Sequence, residues 1–206
     1  MRSSLFSLSV DDTARTPGTS RLLPEVTERA TASALPTRLR PADLLRLTDE
    51  GAEDVLAGRY DHLLPEDGLW PTEKRWAVRL VADDEVDVWL ISWVPEKATE
   101  LHDHAGSLGA LTVLSGALNE FRWNGTELRR RTLAAGDQAS FPLGWVHDVV
   151  RAPAEEAGIV GPLDPTLSVH AYSPPLTAMS YYEVTGHGTL RRTRSVLTDQ
   201  PEGELQ

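Results

Sequence analysis

Cysteine is absent from all 206 residues. That excludes disulfides and thiolate ligands, so a metal would have to be held by His, Asp or Glu. The same absence fits a reducing, cytoplasmic home. No uninterrupted apolar run approaches the roughly 20 residues that span a bilayer. The opening Met1-Arg2-Ser3-Ser4-Leu5-Phe6 lacks a long apolar core followed by a cleavage site, so no secretory signal is expected. Basic residues are outnumbered, 20 Lys and Arg against 31 Asp and Glu, leaving a net charge of -11. No basic stripe is available to meet phosphates and no DNA-binding motif is visible, which argues against a nucleic-acid partner and for small-molecule chemistry. What is present is an ordinary globular composition, 40% hydrophobic, enough for one packed domain plus tails.

Residues 1–34 are rich in Ser, Thr, Arg and Pro without sustained periodicity and read as a loose arm. A domain is expected over 35–192, followed by a frayed tail over 193–206. Pro41 suits a first helical turn, with Asp43 complementing the helix dipole. Leu44, Leu45, Leu47, Val55 and Leu56 supply an apolar face, and Gly51 suggests a break between two short helices. From Trp76 the texture changes to short β-branched and aromatic runs: Trp76–Ala82, Val86–Val94, Glu100–His104, Ala110–Ser115, Asn119–Trp123, Leu128–Leu133, Gln138–Phe141, His147–Arg151, Thr166–Tyr172 and Ala178–Glu183. Turn signals such as Asp83-Asp84-Glu85, Asn124-Gly125 and Ala135-Gly136-Asp137 separate them. Such spacing predicts an all-β sandwich or barrel. Ala152–Pro165 reads as a long loop. Trp89 and Trp93 share a strand face and are expected in the core.

The chemistry concentrates at Glu100-Leu101-His102-Asp103-His104. In a strand, His102 and His104 share one face while Asp103 faces away, so two imidazoles could grip one metal. The alternative is a surface strand carrying two ordinary histidines. His62 and His187 match no motif.

Two blocks of this sequence resemble the signature motifs of the cupin superfamily, a small jelly-roll barrel with a central metal. The first matches at His102, His104 and Gly116; it departs at Glu96, where Gly is usual, and at Gly109, where the usual metal-binding Glu is missing. The second matches at Gly136, Pro142, Gly144 and His147 and departs at Arg151, where the pattern has Asn. The fold implied is a cupin jelly-roll barrel with a short N-terminal helical segment. The resemblance implies that His102, His104 and His147 converge on one ion. Three neutral imidazoles would leave about half of an octahedron open, like the facial triad of Fe(II) oxygenases with its carboxylate exchanged for His.

Downstream, Ser168-Val169-His170-Ala171-Tyr172-Ser173-Pro174-Pro175 places a hydroxyl, an imidazole and a phenol on one strand face. This string, after a cupin histidine, closely resembles the cysteine dioxygenase family, whose members add O2 to the sulfur of cysteine to give the sulfinic acid. The resemblance spans roughly Trp76–Glu183 and implies one Fe(II) per chain on His102, His104 and His147. By the same resemblance Tyr172 would set its hydroxyl beside the incoming oxygen or the substrate carboxylate, His170 would hold the phenol, and Ser168 would orient His170. Gly109 falls where animal members carry a cysteine cross-linked to the tyrosine, so no cross-link forms here. A cis Ser173-Pro174 peptide is also implied.

Arg79 sits about where the family binds the substrate carboxylate, with Arg75 a rival. No Gln occupies this segment to point to 3-mercaptopropionate. The expectation is a cytoplasmic monomer or weak homodimer oxidising L-cysteine with O2. A dioxygenase of 3-mercaptopropionate or another small thiol, and a non-catalytic metal-binding cupin acting as sensor or carrier, are the alternatives.

Overall fold

The computed structural model describes residues 39–95, 97–153 and 165–201. The arm expected over 1–34, the Glu96 position, most of the 152–165 loop and residues 202–206 lie outside the described residues. Helix α1 (Pro41–Leu56) begins with Pro at its first turn, where the Asp43 carboxylate accepts the Arg40 backbone N–H at 2.8 Å. It buries Leu44, Thr48, Gly51, Ala52 and Val55, one face at helical spacing.

Gly51 does not break this helix. A Cβ there would lie 3.0 Å from Val169 Cγ1, so the glycine lets the helix approach the sheet closely. Sequence periodicity reads a lone glycine as a stop; here packing across the helix–sheet interface overrides its weak helix propensity.

Eleven strands follow among the described residues: β1 (Trp76–Ala82), β2 (Asp87–Trp93), β3 (His102–Asp103), β4 (Leu108–Ser115), β5 (Ala117–Trp123), β6 (Leu128–Ala134), β7 (Gln138–Phe141), β8 (His147–Arg151), β9 (Thr166–Ser173), β10 (Ala178–Val184) and β11 (Leu190–Leu197). They form two antiparallel sheets ordered β1-β2-β9-β4-β7 and β11-β10-β3-β8-β5-β6. Most strands run within a residue or two of their predicted limits. Two differences carry physical sense. The run Glu100–His104 shrinks to the two residues of β3, because Glu100 and Ala105 flank it at φ 64° and 50°, outside any strand conformation. Leu190–Leu197 pairs with β10 where a frayed tail was expected; as an edge strand with mostly exposed side chains, it shows no apolar alternation to read.

Strands β2 and β9 are buried on both faces. Val88, Leu90, Val169 and Ala171 form one apolar cluster with Leu44, Ala52 and Val55 of α1, while Trp89, Ile91, Trp93 and Tyr172 belong to the other, between the sheets. Because directly opposed residues share a face, the pairing stacks three inward rows: Ala77–Ile91–Ser168–Val113, then Arg79–Trp89–His170–Leu111, then Asp87–Tyr172–Gly109–Phe141. The last two residues of β9's S-x-H-x-Y pattern thus lie progressively closer to the metal histidines described next.

Candidate metal centre

His102 on β3 is paired directly across the sheet with His147, the first residue of β8. His104 follows β3. The three rings are buried with centroids 4.9 Å (His102–His147), 5.0 Å (His102–His104) and 5.2 Å (His104–His147) apart. Each ring offers a nitrogen, and the three lie within 4.8 Å of one another. His102 Nδ1 meets the Glu100 carbonyl at 2.8 Å. A carbonyl can only accept, so Nδ1 carries the hydrogen and Nε2 is the nitrogen that would ligate a metal. The left-handed backbone at Glu100, worth on the order of 1–2 kcal/mol of strain in a non-glycine residue, presents this carbonyl. Arg194 holds the Glu100 side chain at 2.7 and 3.1 Å. Three convergent, buried imidazoles with a fixed tautomer at His102 are a donor set that fits a divalent transition metal.

His147 has a stronger outer partner. Its Nδ1 lies 3.3 Å from Oε1 of Glu120, a fully buried residue of β5 whose other oxygen accepts from Arg131 Nε at 2.5 Å. Burial opposes the Glu120 charge, but the His147 hydrogen bond together with the His147 and Arg131 charges hold its carboxyl below the usual value. Sequence reasoning passed over Glu120. The available signal was an acidic residue at an inward position of a strand, between Leu118 and Arg122. An outer partner of this kind fixes the ligand's tautomer and raises its basicity. Glu120→Gln is therefore expected to weaken metal binding about 10-fold, the low end of the range for such partners, because the amide still accepts the Nδ1 hydrogen but has lost its charge. A competitive chelator titration measures this; unchanged affinity would mean that Glu120 only fills space.

On β9, Ser168 Oγ lies 2.9 Å from His170 Nε2, and His170 Nδ1 lies 3.1 Å from the Tyr172 hydroxyl. The Tyr172 ring is 4.9 Å from that of His104, so the chain of polar groups ends at the metal histidines. Gly109 opposes Tyr172, and a Cβ there would come within 2.9 Å of Phe141 and 3.4 Å of the tyrosine ring. The missing side chain thus leaves room for the phenol. Trp93, expected as core, is buried and also donates its indole N–H to Ser168 Oγ at 2.8 Å. The Ser173–Pro174 peptide is cis, as the family resemblance implies.

The profile of the family described as cysteine dioxygenase type I matches residues 70–185, more than half of the 206. The chain belongs to this family. Similar solved structures include a double-stranded β-helix protein from Klebsiella pneumoniae, at 19% identity and TM-score 0.42, covering 65% of this chain and 93% of that one. A cupin superfamily protein from Desulfitobacterium hafniense is similar at 11% identity and TM-score 0.40, with coverages of 53% and 94%. The family is one of thiol dioxygenases, and the three histidines form a cysteine dioxygenase-like metal site. No helix among the described residues is long and apolar enough to cross a membrane.

Of the two arginines singled out in the sequence, Arg79 lies on β1 and Arg75 immediately precedes it, with different surroundings. Arg79 stands in the row of Trp89 and His170, its guanidinium 4.4 Å from the Trp89 ring centroid. It is half-buried, with Nε 4.0 Å from Asp87 and a terminal nitrogen 3.2 Å from the exposed Asp199 carboxylate. Asp87 is itself buried beside Tyr172; burial pushes its carboxyl above the usual range, countered by the Trp89 indole, the Arg79 charge and backbone amides. Arg75, just before the start of β1, is buried, 5.7 Å from the Trp93 ring centroid. His62 and His187 are exposed and belong to no metal-ligating group among the described residues.

Proposed function

We propose that the chain oxidises L-cysteine to cysteine sulfinic acid with O2, using one Fe(II) held by His102, His104 and His147. The observation that carries this reading is the union of a three-histidine centre with the Ser168–His170–Tyr172 chain ending against His104. Both atoms of O2 go to the substrate sulfur, which gives up four electrons as the O–O bond breaks; the thiol proton is released and returns on the sulfinic acid or to solvent. Iron, when bound, would supply the redox chemistry that lets O2 meet a thiolate.

The side chains do the rest. An all-imidazole donor set brings no negative charge to the ion and so favours an anionic ligand such as a thiolate. Tyr172 offers a hydroxyl to the polar atoms of the bound substrate. Phe141, 4.3 Å from the His147 ring, keeps one wall of the centre apolar and dry. Arg79 supports recognition of the carboxylate: its row is one residue pair from that of Tyr172, about 7 Å along the strand, whereas Arg75 precedes the strand and lies beside Trp93. The substrate carboxylate would take the place of Asp199 on the guanidinium.

Oxygen uptake by iron-loaded protein, with L-cysteine and 3-mercaptopropionate offered side by side and the product identified by mass, tests this reading. Preferential formation of cysteine sulfinate is expected. Arg79→Ala should raise KM for cysteine roughly 10- to 100-fold, as loss of a charge-assisted hydrogen bond implies. Preference for 3-mercaptopropionate would retain the chemistry and remove the role of Arg79. No uptake with either thiol, despite bound iron, would favour a metal-binding sensor or carrier.

A further inference from the structure

We propose that Trp93 is a positioning residue that sets the direction of every hydrogen bond in the Ser168–His170–Tyr172 chain, turning the Tyr172 O–H away from His170 and toward the metal centre. A serine hydroxyl, an imidazole and a phenol can each donate or accept, but an indole N–H can only donate. Trp93 Nε1 lies 2.8 Å from Ser168 Oγ, and both residues are buried. The serine oxygen is therefore an acceptor at that contact. Among the described residues the other hydrogen-bond partner of Ser168 is His170 Nε2, at 2.9 Å. Had Nε2 carried a hydrogen, the serine oxygen would accept twice and its own O–H would be stranded in a fully buried site, which native structures avoid. Ser168 therefore donates to Nε2.

With Nε2 accepting, a neutral His170 carries its hydrogen on Nδ1 and donates it to the Tyr172 oxygen at 3.1 Å. The phenol oxygen is then an acceptor toward His170, and its own hydrogen turns to the other side, where the His104 ring lies 4.9 Å away. Tyr172 is thereby presented to the centre as a hydrogen-bond donor. Without Trp93 the serine rotor could reverse, the imidazole could take either tautomer, and the phenol hydrogen would be shared between His170 and the site. Arg75 adds to the effect: its guanidinium, 5.7 Å from the Trp93 ring centroid, draws on the face of the indole and makes its N–H a better donor.

The experiment reads the tautomer directly and does not depend on the thiol reading. Protein labelled with 15N-histidine and loaded with Zn(II), which is diamagnetic, gives ring-nitrogen correlations; the His170 set is assigned by its loss in His170→Gln. The wild-type His170 should show the Nδ1–H tautomer, and Trp93→Phe should move its ring nitrogens to the averaged pattern of two tautomers. A tryptophan analogue with sulfur in place of the indole N–H fills the same volume and should do the same, which covers the case in which Trp93→Phe fails to fold. Wild-type Nε2–H, or an Nδ1–H pattern unchanged by either substitution, would overturn the proposal. Under the dioxygenase reading, Trp93→Phe should also lower kcat about 10-fold. Trp93→Phe/Ser168→Ala should then be no slower than Ser168→Ala alone, because the link is already cut; additive losses would count against the proposal.

Discussion

His147→Ala should bind iron more than about 100-fold more weakly than the wild type, beyond the ~10–100-fold loss typical of an outer partner, and should show no oxygen uptake. The reason is geometric. His147 is the cross-strand partner of His102, so its removal takes one of three ligands from a centre that has no protein carboxylate to substitute. The variant should also lose the stabilisation that metal gives the native state. At metal concentrations near 100-fold above Kd this amounts to about 2.7 kcal/mol, or roughly 5–10 °C in Tm for a domain of this size. Metal analysis and thermal unfolding with and without added Fe(II) or Zn(II) read both effects. The metal-free variant should unfold at a lower temperature than metal-free wild type, since Glu120 then stays buried with Arg131 as its charged partner, at a cost of about 1–3 kcal/mol. Wild-type iron content in His147→Ala would remove the proposed centre.

Tyr172→Phe should leave metal content unchanged and lower kcat by about 100-fold, the lower end of what a positioned proton-transferring or hydrogen-bonding group contributes. The ring is fully buried against Gly109, Phe141 and His104, and phenylalanine keeps that packing. What it loses is the hydroxyl, together with the acceptor of the His170 hydrogen. The net effect on stability should therefore be near 1 kcal/mol, so a large loss of kcat cannot be assigned to unfolding. Steady-state oxygen uptake with parallel thermal unfolding separates the two. A kcat within about threefold of wild type would make Tyr172 a packing residue and leave His170 and Ser168 without a role at the centre.

Much of the site was legible along the chain because strands repeat every two residues. His102-x-His104 and Ser168-x-His170-x-Tyr172 each state a shared face in five residues or fewer; the second lies wholly within β9, while His104 falls just past the end of β3. The helix was legible in extent but not in continuity, since the reason for Gly51 lies across the interface in Val169. β11 was illegible because an edge strand with arginines on both sides has no buried face to write an alternation.

By itself, then, the sequence determined which chemistry was possible. Without cysteine the ligands had to be histidines or carboxylates; the β-periodic strings named two imidazoles and one polar chain, and the family resemblance added His147. Tertiary structure alone decided which groups act on them. Glu120 reaches His147 across 27 residues, Trp93 reaches Ser168 across 75, and Asp199 reaches Arg79 across 120. Such contacts follow from strand register, and register is set by burial of whole sheet faces against each other rather than by any local run of residues. The same register put Arg79 one row from Tyr172, while Arg75 lies beside Trp93, surroundings that two arginines four positions apart in the sequence do not reveal.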